Sequence, residues 1–99
     1  MALIQAYNPG GGGGGQTLAG QRDIVEETSP FVSGYAIPLT ETPVDASTII
    51  VFSEGLILFP DDWSYNAGTN EVEILFSADP ATDTPDGTWH FFVQYLYEA

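Results

Sequence analysis

The stretch TIIVFSEGLILFPDDWSYNAGTNEVEILFSADPATDTPDGTWHFFVQYLY, Thr48 to Tyr97, decides the fold. Apolar runs at Thr48 to Phe52, Leu56 to Phe59, Val72 to Phe76 and Trp89 to Tyr97 alternate with clusters of Gly, Pro, Asn and Asp. Short runs punctuated in this way are the pattern of a small antiparallel β-sandwich. Side chains alternate faces along a strand. In the last run Trp89, Phe91, Val93, Tyr95 and Tyr97 therefore share one face, and Thr88, His90, Phe92, Gln94 and Leu96 the other. In Glu71 to Ser77, the side chains of Val72, Ile74 and Phe76 point in and those of Glu71, Glu73 and Ser77 point out, with Leu75 the exception. Thr48 to Phe52 is apolar on both faces, as a central strand is. Ser53-Glu54-Gly55 reads as a hairpin turn with glycine where φ > 0 is needed. Trp63-Ser64-Tyr65-Asn66 is a short strand, followed by the tight turn Ala67-Gly68-Thr69-Asn70. Ala78 to Gly87 is a polar loop with two prolines, and no helical period of useful length occurs.

Upstream, Phe31, Ser33, Tyr35, Ile37 and Leu39 fall on one face of a further strand, and Pro38 near its end suggests a sheet edge. Gln21 to Glu27, with Ile24 and Val25 among polar residues, is a short strand or an extended connector. Thr28-Ser29-Pro30 punctuates it. Gly10 to Gly15 are six consecutive glycines. Polyglycine loses the most backbone entropy on ordering and has no side chains to pack, so it reads as a flexible tether. Beyond it, Leu3, Ile4 and Tyr7, with the turn residues Asn8 and Pro9, are the candidate partner-binding segment, docking on another chain; the alternative is an unbound tail. The chain thus divides into an extended arm with a Gly tether, residues 1–20, and an all-β sandwich domain, residues 21–99.

Ninety-nine residues allow one domain. With 43% hydrophobic and 13% aromatic residues, wholesale disorder is not expected. The core of such a body is modest, and the chain has no cysteine with which to staple it, so oligomerisation is the expected support. Fourteen Asp and Glu face a single cation, Arg22, for a net charge of −13. Such a surface repels nucleic-acid phosphates and anionic membranes. The acids keep a β-protein soluble by mutual repulsion, or meet a basic partner or divalent cations. No apolar run approaches a membrane span, and Met1 to Ala6 lacks the basic and long apolar regions of a signal peptide, so synthesis in a cytoplasm is expected.

Catalytic chemistry finds little footing. His90 is the only histidine, and the sequence places no nucleophile or acid beside it. Asp79, Asp83 and Asp86 share one loop and, with Asp61 and Asp62, are the carboxylates available to Ca²⁺, but their spacing matches no EF-hand. Trp63, Tyr65 and Trp89 could form a glycan platform, although core packing is the commoner fate of aromatics in a small domain. The glycine run lacks the Lys-Ser/Thr and strand-to-helix context of a phosphate loop. No catalytic residue, cofactor or metal site is expected.

Several motifs resemble a β-sandwich module of bacteriophage virion proteins found in tail fibres, baseplates and head decorations. They are Tyr35-Ala36-Ile37-Pro38-Leu39-Thr40-Glu41-Thr42-Pro43, Ile49-Ile50-Val51-Phe52-Ser53-Glu54-Gly55, Pro60-Asp61-Asp62-Trp63-Ser64-Tyr65, Val72-Glu73-Ile74-Leu75-Phe76, and Asp86-Gly87 with the strand ending Val93-Gln94-Tyr95. In the third motif Asp62-Trp63 stands where that module usually has an aspartate-tyrosine pair. The resemblance covers roughly residues 31–97 and implies a structural role without catalysis. A single small domain, an arm suited to lacing into neighbours and a small core that favours a cyclic homo-oligomer, a trimer first, point to the head. The expectation is a capsid decoration or cement protein located in the virion and bound to the major capsid protein or other virion proteins. The alternatives are a tail-fibre or baseplate module, and a carbohydrate-binding module.

Overall fold

The computed structural model describes residues 17–99. Among these, seven strands form: β1 (Leu18–Glu27), β2 (Tyr35–Pro38), β3 (Ile50–Ser53), β4 (Leu56–Ile57), β5 (Trp63–Asn66), β6 (Glu71–Ile74) and β7 (Trp89–Glu98). They make two antiparallel sheets, one of four strands in the order β1-β7-β3-β4 and one of three in the order β2-β6-β5. The other regular pieces are single turns, of 3₁₀ type at Ala46–Thr48 and Pro60–Asp62 and α-helical at Pro80–Asp83 (α1). The fold is the all-β antiparallel sandwich that the period-two alternation predicts.

The core lies between the inner faces. Val51 of β3 and Phe91 and Val93 of β7 meet Ile37 of β2 and Val72 and Ile74 of β6, and all six are fully buried. Each such side chain contributes on the order of 1.5–3 kcal/mol by leaving water. At one end Phe31 is held by an isolated bridge to Ala78. Its ring centre lies 5.0 Å from that of Tyr35, 5.7 Å from Phe91 and 5.8 Å from Trp89. Tilted and edge-on contacts of this kind add to the burial energy of an aromatic core.

Two polar residues enter the interior, and both are bonded. Ser53 Oγ accepts from Trp89 Nε1 at 2.8 Å. Asp23 is 8% exposed. Its Oδ2 accepts from the Thr40 amide at 3.0 Å and the Tyr95 hydroxyl at 2.8 Å, and its Oδ1 from Thr40 Oγ1 at 2.8 Å and Gln21 Nε2 at 2.9 Å. The Tyr95 oxygen in turn accepts from the Glu41 amide at 2.9 Å. The carboxylate thereby ties β1 and β7 to the segment leaving β2, across the two sheets.

Local departures from the sequence reading have physical causes. The segment from Gln21 to Glu27 is part of a ten-residue strand that pairs with every residue of β7, from Leu18↔Glu98 to Glu27↔Trp89. Because that ladder is as long as β7, β1 takes in Leu18 to Gly20, which the sequence division placed in the arm. The strand foreseen from Phe31 starts only at Tyr35. Gly34, with φ +101°, completes a turn in which the Tyr35 amide donates to the Val32 carbonyl at 3.1 Å. Leu56 to Phe59 stays in the ladder only through Ile57 before Pro60 opens the next turn. The β3–β4 hairpin turn places both Glu54 (φ 51°) and Gly55 (φ 83°) in the left-handed region. Two consecutive positive φ values are what a tight hairpin requires to match the twist of its strands.

Candidate interaction face

The outward face of the four-stranded sheet is ordered in rows by its register. Phe91, Val93 and Tyr95 point into the core, so Phe92 points out. Phe92 stands opposite Ile24 of β1 on one side and Phe52 of β3 on the other, and Phe52 stands opposite Ile57 of β4. These residues form an apolar row across the whole sheet, about 14 Å long at the ordinary strand spacing. Ile24 is 57% exposed, Ile57 64% and Phe92 36%, while Phe52 is half-buried.

The flanking rows differ in chemistry. On one side Arg22 stands opposite Gln94, which stands opposite Ile50. The Arg22 guanidinium carbon lies 5.8 Å from the centre of the Phe92 ring, a cation–π contact worth about 0.5–1 kcal/mol at an exposed site. On the other side Glu26 stands opposite His90, and the Glu54 amide donates to the His90 carbonyl. His90 Nδ1 is 3.0 Å from Glu54 Oε2, and its Nε2 is 3.6 Å from Glu26 Oε2. The Glu54 carboxylate also accepts from the His90 amide, which fixes the ring's flank. His90 thus links β1 to the β3–β4 turn between two acids, Glu26 and Glu54, where the sequence reading expected no acid beside it; strand pairing brings both in from distant parts of the chain.

The remaining sequence candidates are placed as follows. Leu3, Ile4, Tyr7, Asn8 and Pro9 lie outside the described residues. Asp79 caps α1 by accepting from the Ala81 amide at 3.1 Å, and Asp83 accepts from the Asp79 amide at 2.8 Å. Asp86 accepts from the Thr88 amide at 3.1 Å. Backbone donors thus occupy the three loop acids, and among the described residues no cluster of three or more His, Cys, Asp or Glu is arranged to hold a metal ion. Trp63 and Tyr65 are on β5 in one sheet and Trp89 is on β7 in the other, all packed against the core. Tyr65 donates its hydroxyl to Asn70 Oδ1 at 2.7 Å, and Trp89 is bound to Ser53. The structure does not bring these three together on an exposed platform.

The apolar row was only partly visible in the sequence. Alternation assigns Phe92 to the face opposite Phe91. Nothing local shows that Ile24 and Ile57, thirty-three positions apart in the chain, share its row, since that follows from three separate strand pairings. No protein-family model, characterised protein or solved structure matches this chain.

Proposed function

We propose that this chain is a structural protein of a bacteriophage virion, a capsid decoration or cement protein. It binds and stabilises the head shell through its N-terminal arm and an oligomeric β-sandwich, and it makes or breaks no covalent bond. The supporting observation is the apolar row on the outward sheet face. A molecule with fourteen acids and one cation leaves a continuous uncharged band across one sheet. Contiguous apolar patches at a surface mark contact sites. The arm, by adding a strand to a neighbouring sheet edge, supplies main-chain hydrogen bonds, with Leu3, Ile4 and Tyr7 filling pockets. Several arms in one oligomer multiply weak contacts through effective concentration.

The test is to locate the chain in purified particles of the phage that encodes it, by quantitative mass spectrometry and an electron-microscopy map. The expected result is a fixed stoichiometry with the major capsid protein and density on the head. Density confined to the tail transfers the role to a fibre or baseplate module. Absence from the particle, with retention on a glycan array, replaces the proposal with carbohydrate binding.

A further inference from the structure

We infer that β1 is a self-recognition edge: two copies of this chain pair their β1 strands antiparallel, about a two-fold axis at Ile24, into one continuous eight-stranded sheet. This goes beyond the proposed function and does not depend on where the chain is found.

The first observation is the edge itself. β1 stands at the end of its sheet and pairs with β7 alone among the described residues. It runs ten residues with an unbroken register and carries no proline and no bulge. The N–H and C=O groups of an edge are a template for another strand; of the devices that blunt such edges β1 carries only charged side chains, Arg22, Asp23, Glu26 and Glu27, so charge decides which strand can pair with it.

The second observation is charge. Arg22 is the chain's only cation, and it lies on β1 two residues before Ile24. Glu26 lies two residues after Ile24 on the same outward face. Residues opposite one another in a two-fold antiparallel pair lie at equal distances on either side of the axis. An axis at Ile24 therefore sets Arg22 against Glu26 of the second copy, twice. It also sets Ile24 against its own copy, which joins the two apolar rows into one. On the inner face it sets Asp23 against Val25, and Gln21 against Glu27, so no like charges face each other.

Neighbouring registers fail by the same rule. An axis at Arg22 opposes two arginines. One at Asp23 opposes two aspartates and sets Arg22 against isoleucine. One at Val25 opposes Asp23 and Glu27. Like charges directly opposite are destabilising, and a one-residue slip of one strand alone would turn the apolar set to the wrong face. For a body of net charge −13, this edge is the place where a second copy meets a cation. The chain's own residues 1–8 contain no charged side chain and offer Arg22 and Glu26 nothing comparable.

Sedimentation equilibrium of the full chain tests the inference. The expected result is a reversible monomer–dimer equilibrium. Arg22→Glu and Glu26→Arg each weaken it about tenfold or more, because both pairs become repulsive, and the double exchange R22E/E26R restores it to within about threefold. Both side chains are exposed, so circular dichroism should show an unchanged fold in every variant. Replacing Leu3 and Ile4 by Asp in the full chain leaves the dimer intact. A monomer at all concentrations, a trimer unaffected by the two exchanges, or a double exchange that fails to restore pairing overturns the inference. Loss of the dimer on changing Leu3 and Ile4, with the charge exchanges silent, overturns it in favour of the arm.

Discussion

The Tyr95 hydroxyl donates to the buried Asp23 carboxylate at 2.8 Å while accepting from the Glu41 amide, so one phenol joins strand β7 to the edge strand and to the connection between sheets. Removing one partner leaves the others buried without their hydrogen bonds, which is the expensive way to lose a polar contact. Asp23→Asn should lower stability by about 2–3 kcal/mol, since it places amide hydrogens against groups that donate. Tyr95→Phe should lower it by about 1–2 kcal/mol, leaving Asp23 and the Glu41 amide short of a partner. Urea denaturation of the two variants and the parent chain measures both.

Acid should act through the same carboxylate. Burial alone would push the Asp23 pKa up, but the bonds from the Thr40 amide, Gln21, Thr40 Oγ1 and Tyr95 together outweigh it and hold the pKa below the usual carboxylate value. Glu27 is also held low, first by the Ser29 amide and then by the Tyr35 hydroxyl. A depressed folded-state pKa means that stability is fully present above the unfolded value of about 4 and is lost as pH falls through the folded value. The melting temperature should therefore drop steeply below about pH 4. The gap between the parent chain and Asp23→Asn should close over that range. A gap that stays constant down to pH 2 would falsify the assignment of acid sensitivity to this clamp.

At the alkaline end the sign reverses. Tyr35 is pushed up to about 12, mainly by burial and further by its hydrogen bond to Glu27 and that carboxylate's charge. The Tyr95 pKa is also raised, by burial most of all, with the Glu41 amide opposing and Asp23 reinforcing the shift. A raised folded-state pKa contributes stability below the unfolded value of about 10, and the contribution disappears as pH rises through the folded value. Tyrosinate absorbance should show Tyr35 and Tyr95 ionising late, together with loss of the fold. Tyr35→Phe should remove one late titration.

The apolar row separates binding from stability. Ile57→Glu changes a side chain that is 64% exposed, so its effect on folding should stay within about 0.5 kcal/mol. Under the proposed decoration role, its effect on attachment to a head shell should be tenfold or more, in the range of an interface anchor. Shell co-sedimentation beside a thermal melt reads both quantities. Attachment equal to that of the parent chain would remove the row from the binding surface.

The arm makes a complementary prediction. A chain lacking residues 1–15 should remain folded by circular dichroism, because β1 begins at Leu18 and the buried core of the described residues runs from Phe31 to Tyr95. Such a chain should no longer attach to the shell. Undiminished attachment would assign the whole of the binding to the sandwich.

Much of the sandwich could be read from neighbouring residues. Trp89, Phe91, Val93 and Tyr95 alternate with outward residues, and that period announces a strand with one buried face wherever its partners lie. Gly55, and the turn through Gly68 to Asn70, mark hairpins because only a few residue types tolerate a left-handed backbone. β1 was harder to read. Its inner face is built from Gln21, Asp23 and Val25, so no apolar alternation distinguishes it from a connector. It is a strand because β7, more than sixty residues away, offers it a complete ladder.

The chain alone therefore determined the all-β class, the turns and the acidity, since each depends on single residues or on neighbours a few positions apart. Tertiary structure decided which side chains share a row. Ile24, Phe52, Ile57 and Phe92 become one apolar band, and Arg22 and Glu26 flank Ile24 on an edge that pairs with β7 alone among the described residues, only when pairing fixes the register. Register is a property of whole strands competing for one buried face, and no local window of sequence contains it.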